Sequence, residues 1–233
     1  FKDAAILIVD GNGSDIETNS YFFGKKNKIS LLENFKYQGI GAVYSSVTKE
    51  VLNLGTGGEG KTMGLAPYGK PNKKIKIKYK FNGIETDFSK FAIRQPYSDV
   101  LNHINQNNRP NIIRLSVKKS NKKNIMNKYF RDFAYEVQNV TEKTITHLGK
   151  DIYKKIKSKN ICLAGGVALN SVANEKMFKS TKFKKIHIFP ACSDAGIPFG
   201  LVTWAYHNIY KKNKRLKFNN AFSGKEYSIQ EIL

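Results

Sequence analysis

Hydrophobic and polar positions divide the chain into short aliphatic runs and longer helical stripes. Residues 4–11, AAILIVDG, form one apolar run closed by turn residues, which predicts a buried strand. DGNGSD (10–15) follows as a tight glycine-rich turn. ETNSYFFGKKNKISLLENF predicts a hairpin that bends at GKKNK. Over residues 39–54, Ile40, Val43, Tyr44, Val47, Val51 and Leu52 stand at helical spacing. A glycine-rich loop, TGGEG, leads into KTMGLAPYGKP, where Pro67, Gly69 and Pro71 prevent a long regular element. Residues 74–88 alternate charged and apolar side chains around Asn82-Gly83, a second hairpin signal.

Residues 95–122 are polar, with several Asn and two Pro, and read as a loop-rich connection with short helical pieces. The strongest helix comes next. Ile125, Tyr129, Phe133, Val137, Val140, Ile145, Leu148, Ile152 and Ile156 recur at steps of mostly three to four, with a bend expected at Gly149. NICLAGG (160–166) predicts a buried strand, SVANEKMFKS (171–180) a helix, and KKIHIFPA (184–191) a strand. A last helix is expected from Ala195 to about Asn213. Helix–strand–helix–strand–helix is the signature of α/β layering.

Composition narrows the class. The 233 residues suit one large domain or two small lobes, and 40% hydrophobic with 25% charged residues excludes a wholly disordered chain. No apolar run reaches the roughly 18–20 residues of a membrane span, and no signal peptide is visible. The first residue is Phe, so an upstream segment is expected. Two cysteines, Cys162 and Cys192, cannot build a disulfide framework and fit a reducing, cytoplasmic setting. The net charge of +22 raises nucleic acid as a partner. Yet it comes from 35 Lys and five Arg, spread along the chain, with no nucleic-acid motif. A solvated lysine-rich surface explains it better, because phosphate and base recognition lean on Arg.

Four motifs hold chemistry. Gly55–Thr62 (GTGGEGKT) matches the P-loop pattern, but a helix precedes it and no long helix can follow, so the context of a P-loop is missing. A glycine-rich loop carrying Lys61 can still meet an anion. Asp10-Gly11-Asn12-Gly13-Ser14 puts a carboxylate at a strand end, where Asp can hold a metal and Gly11 and Gly13 can bring backbone amides to a phosphate. Taken alone it is better read as an ordinary turn capped by Asp. Gly165-Gly166 before Asn170 makes a strand-to-helix turn where a nucleotide can lie against backbone, without the dinucleotide spacing. Asp194, in PACSDAG, reads as the N-cap of the last helix or as a second metal-ligating carboxylate. Cys192 has no His nearby to activate it, and His103, His147, His187 and His207 show no metal spacing.

Taken together and in order, DGNGS, GAVYSSVTKEVL, GEGKTMGLAPYGKP, FAYEVQNVTEKTI, LAGGVALNSVANEK and IFPACSDAGIPFG resemble the O-carbamoyltransferases of the nodulation protein U and cephamycin type. AFSGKEYSIQEI resembles the segment that follows in that family, so the likeness covers nearly the whole chain. It implies an actin-like ATPase fold, two α/β lobes around a nucleotide cleft, with residues 1–122 in the first lobe and 123–233 in the second. It implies transfer of a carbamoyl group from carbamoyl-adenylate, made from carbamoyl phosphate and ATP, to a hydroxyl of a small acceptor. The cofactors implied are that adenylate and a divalent metal, with iron expected.

By the same resemblance, Asp10 and Asp194 match metal ligands, and Asp10 and Lys61 are the catalytic candidates. Gly11, Gly13, Glu59, Gly60, Gly165, Gly166 and Asn170 are the nucleotide-facing candidates. The family's paired histidines and its adenylate-forming C-terminal domain, a partner of this one, have no counterpart in the chain. The chain alone is therefore expected to hold at most half a metal site and to transfer no carbamoyl group. No specific nucleic acid and no membrane is expected as a partner. Two other readings stay open: a sugar-kinase-like phosphotransferase of the same fold, and an inactive or basic binding module.

Overall fold

A computed structural model of the chain describes residues 1–36, 39–88, 118–121, 123–212, 214 and 225–232. The connection expected over 95–122, with His103, lies outside them apart from 118–121. The chain divides into two compact units, Phe1–Asp194 and Ala195–Leu233.

In the first unit the aliphatic run is β1 (Asp3–Val9). It pairs antiparallel with β2 (Glu17–Lys25), which pairs antiparallel with β3 (Lys28–Lys36). The hairpin turns at Lys26-Asn27, inside the expected GKKNK bend. On its other side β1 runs parallel to β6 (Asn160–Ala164), and β6 parallel to β7 (Lys185–Ile188). The five-stranded sheet thus has the order β3-β2-β1-β6-β7 and draws strands from both sides of residue 122. This is a mixed sheet of the α/β class.

The pleat explains β1. Ala5, Leu7 and Val9 are buried, and they join a core with Tyr21, Ile161 and Leu163. The facing stripe comes from α3 (Lys128–Lys155), whose Phe133, Val137, Val140, Leu148 and Ile152 are buried. Its 28 residues extend about 42 Å. The helix continues through Gly149, where a bend was expected. A Cβ at Gly149 would lie 2.4 Å from Met177 Cγ of α4 (Ser171–Lys179), so this glycine lets two helices approach closely.

Between the sheet and α3 come α1 (Ile40–Ser46) and α2 (Glu59–Leu65). α1 continues into a widened turn at Val47–Val51, with Leu52 N–H donating to Val47 O at 2.9 Å. The wide turn sets Thr48 Oγ1 2.8 Å from Thr62 Oγ1 of α2. The second hairpin is shorter than expected, with β4 (Lys80–Asn82) and β5 (Glu85–Asp87) only. Upstream, Ile75 and Ile77 enter the core, and the Ile77 amide donates to Glu136 Oε1 at 3.2 Å rather than to a strand. Alternation there reflects a segment lying on the core, not a ladder. The second unit contains α5 (Ile197–Asn208) and α6 (Ile229–Ile232). α5 starts two residues later than expected, after Gly196, so Gly196 and not Asp194 takes its N-cap.

The segment after α2 is tied to α3 by one buried carboxylate. Asp132 Oδ1 accepts from the Lys70 amide at 3.0 Å and Oδ2 from Asn72 Nδ2 at 2.8 Å, with Lys128 Nζ paired to it one turn earlier. Burial alone would push Asp132 up. The hydrogen bonds from Lys128, Asn72 and Lys70 outweigh it and hold the carboxyl below its ordinary 3.8. Its contribution is therefore complete above that value and is lost as pH falls through the lower folded value. Replacing Asp132 by Ala is expected to cost about 2 kcal/mol near neutrality. In urea titrations the gap to wild type should close only below the ordinary aspartate value; a gap that is constant down to strong acid contradicts this account.

Candidate functional site

β1 and β6 lie side by side, with Ile8 opposite Ala164. Two residues on, the same register brings Asp10 beside Gly166. The sequence leaves β1 toward β2 on one side and β6 toward β7 on the other. The carboxyl ends of this strand pair are therefore the switch point of the sheet, where open α/β sheets form a crevice.

A cavity of about 380 Å³ opens there, within the size range of small-molecule sites. Asp10 and Gly11 line it from the end of β1, and Ile40, Gly41, Tyr44 and Ser45 from α1. Gly57, Glu59, Gly60 and Met63 come from the glycine-rich loop and α2, Thr141 from α3, and Gly166, Val167, Leu169 and Asn170 from the turn after β6. The structure thus brings Asp10, Gly11, Glu59, Gly60, Gly166 and Asn170 together from three separate motifs.

The remaining candidates lie elsewhere. Lys61 is exposed in the first turn of α2 and does not line the cavity. Gly13 serves its own turn, its amide donating to Glu17 O at 2.7 Å. Gly165 supports the wall from behind, its amide donating to Cys192 O at 2.7 Å. Asp194 is exposed in the short turn Asp194–Gly196, outside the lining, though Asp10 feels its charge.

Asp10 is the centre of the arrangement. The Gly11 amide donates to its Oδ1 at 2.6 Å, and the Gly166 amide also reaches the carboxylate. Burial pushes its carboxyl up, the two amides pull it down, and the charge of Asp194 adds to the net rise. Such strain on an ionised carboxylate is what a divalent cation relieves, and both side chains offer the hard oxygens such ions prefer. Asp10, with Asp194 near enough for its charge to be felt, is the side chain that could hold such a cation. Among the described residues no group of three or more His, Cys, Asp or Glu side chains that could hold a metal ion comes together.

Close backbone packing forms the crevice. A Cβ on Gly41 would lie 2.6 Å from the Gly11 amide nitrogen, so the first turn of α1 sits directly on the Asp10–Gly11 peptide. Ser45 Oγ donates to Glu59 Oε1 at 2.7 Å, fixing the loop carboxylate against α1. Tyr44 OH donates to Gln138 Oε1 at 3.0 Å. Burial, with the negative charges of Glu59 and Glu142, holds Tyr44 above the usual phenol value, so it stays a donor. Burial likewise pushes the Cys192 thiol up, as an inert cysteine requires.

Electrostatically the cavity is unlike the rest of the chain. Among the described residues its lining holds two carboxylates, Asp10 and Glu59, and no Lys, Arg or His, although the chain carries +22. Tyr44, Ser45, Gln138 and Thr141 were not among the candidates. No sequence signal sets the last two apart, because the same helix also buries the polar Asp132, Glu136 and Thr144.

The amino-acid sequence matches a known family. Residues 1–202 match the family described as Carbamoyltransferase N-terminus, and the chain belongs to it. Over 225 residues, 96% of its length, the chain is 30% identical to uncharacterized protein sll1178 of Synechocystis sp., covering 36% of that protein. It is 26% identical over 225 residues to nodulation protein NolNO of Sinorhizobium fredii, covering 96% of this chain and 31% of the relative. It is 28% identical over 201 residues to nodulation protein NolO of Bradyrhizobium diazoefficiens, covering 86% and 34%. The chain spans about a third of the length of these relatives. No helix among the described residues is long and apolar enough to cross a membrane.

Gly165 tests the geometry. It has φ +88, and a Cβ there would lie 2.3 Å from Val9 O, so a side chain meets both backbone strain and the neighbouring strand. Gly55 has φ +77 but open space around it. Gly165→Ala is expected to cost about 3 kcal/mol or more in urea unfolding, and Gly55→Ala about 1 kcal/mol, the strain alone. Equal costs would contradict the close β1–β6 crevice.

Proposed function

We propose that this chain is the carbamoyl-transferring part of an O-carbamoyltransferase, and that its cleft holds carbamoyl-adenylate opposite a small hydroxyl acceptor. The observation that carries the reading is the convergence of Asp10-Gly11, Glu59-Gly60 and Gly166–Asn170 on one cavity in a chain of the carbamoyltransferase N-terminal family. The mixed sheet, with its crevice at the switch point, supports an actin-like nucleotide-binding lobe.

The chemistry suits a site with few reactive side chains. The acceptor oxygen bonds to the carbamoyl carbon as the bond to the phosphate oxygen breaks, AMP departs and the hydroxyl proton passes to solvent, so no enzyme nucleophile is needed. A divalent cation held by Asp10 and Asp194 would supply Lewis-acid polarisation of the carbonyl. The residues of this chain do the remaining work. Backbone at Gly11 and Gly166 allows the ligand close approach, Glu59 is fixed by Ser45, and the apolar side chains of Ile40, Met63 and Val167 exclude water.

Charge makes the reading testable. Anionic phosphates placed beside Asp10 and Glu59 are repelled unless a cation lies between them. Calorimetric titration of the chain with ATP is therefore expected to show binding with manganese and none in excess chelator. Asp10→Asn should weaken the manganese-dependent binding at least about tenfold, the loss of one charge-assisted contact. ATP binding that is equally strong in chelator, or unaffected by Asp10→Asn, would overturn the proposal.

A further inference from the structure

Gln138 lies outside the cavity lining, on α3, yet its amide joins three elements that form the cavity wall. It is almost fully buried, at 5% exposure. Its Oε1 accepts from Tyr44 OH at 3.0 Å and from Asn170 Nδ2 at 2.8 Å. Its Nε2 lies 3.1 Å from Asn170 Oδ1 and 3.0 Å from Glu142 Oε1. Asn170 Oδ1 also accepts the Ala173 amide at 3.0 Å, capping α4.

This network admits one orientation for both amides. The Ala173 N–H can only donate, so the atom of Asn170 facing it is its oxygen. The other arm of Asn170 is then a donor and must meet the oxygen of Gln138. A carboxylate only accepts, so the atom of Gln138 facing Glu142 is its nitrogen. The two constraints come from different elements and agree. Tyr44, kept protonated, fills the remaining valence of Gln138 Oε1.

We propose that Gln138 is the positioning residue of the cleft. It holds the Gly166–Asn170 turn and the Tyr44 hydroxyl in register, and it does so through the donor–acceptor polarity of its amide rather than through its volume. Its part in ligand binding rests on the reading of the cavity as a nucleotide site; its hold on the turn does not. The groups around it are Glu142 on its own helix, Lys176 of α4 with Nζ 2.8 Å from Glu142 Oε2, Tyr44 of α1, and Glu59 of α2 beyond Tyr44.

Gln138→Glu separates polarity from shape. The side chain keeps its size, but a carboxylate cannot donate to Asn170 Oδ1 or Glu142. Burial and the Glu142 charge raise the titration of the new acid, so moderate acidification returns one donor. Hydrogen exchange of the backbone amides over residues 168–174 in the 233-residue chain is the direct readout. Wild type should show the same protection factors at about pH 7.5 and about pH 5, once corrected for intrinsic exchange. Gln138→Glu should lose about tenfold protection at the higher pH, the equivalent of one buried hydrogen bond, and recover most of it at the lower. Gln138→Leu should lose it at both. Equal protection in Gln138→Glu and wild type, or a loss independent of pH, overturns the proposal.

ATP affinity with manganese, measured in parallel, should follow the exchange pattern. If the exchange pattern holds and wild type binds no ATP, the positioning role stands and the nucleotide reading falls. If wild type binds ATP and the Gln138→Glu affinity shows no pH dependence, the role of Gln138 in binding falls.

Discussion

The parallel pairing of β1 with β6 is the constraint on which the site depends. Its register sets Asp10 beside Gly166 at the carboxyl ends of two adjacent strands. That proximity leaves no room for side chains: Gly165 lies against the Val9 carbonyl and Gly41 against the Asp10–Gly11 peptide. At that junction the packing is therefore backbone on backbone, and the side chains that line the cavity, Asp10 apart, stand on other elements. α3 supports the arrangement from below, through its apolar stripe against β1 and through Gln138. A one-residue slip in β1–β6 would part Asp10 from Gly166 and turn the core residues of β1 away from α3.

The charge distribution gives the site its logic. The surface is crowded with lysine, while the described residues lining the cavity include Asp10 and Glu59 and no basic side chain. A strongly basic chain attracts anions from a distance, but an acidic cavity accepts an anion only with a counter-ion. The same acids that repel a bare phosphate are hard oxygen donors for a cation. The proposed transfer needs no activated side-chain nucleophile, and the inert environment of Cys192 is compatible with that.

Much of the fold is legible in the amino-acid sequence. The aliphatic run of β1, the hairpin at GKKNK, the 28-residue helix and the strand NICLA all follow from periodicity and turn chemistry. The mismatch between GTGGEGKT and its context is legible too, and the loop does follow a helix and open only a short one. Two features mislead. Residues 74–79 alternate like a strand but bury Ile75 and Ile77 without a partner strand, because a segment crossing a core satisfies the same pattern. Gly149 looks like a hinge and is a helix–helix contact, since sequence does not show which helix lies opposite. Tyr44, Ser45 and Gln138 are hidden for a related reason: they act across elements, and no local spacing encodes a hydrogen bond between positions 44, 138 and 170.

Where a nucleotide touches the chain locates the site most directly. Backbone amide chemical shifts, recorded while AMP is added in the presence of magnesium, report that location. The cleft account predicts saturable shifts concentrated at Gly11, Gly41, Gly60 and Gly166–Asn170, with the lysine-rich surface unmoved. Shifts spread over the exposed lysines, with those glycines unchanged, would contradict it.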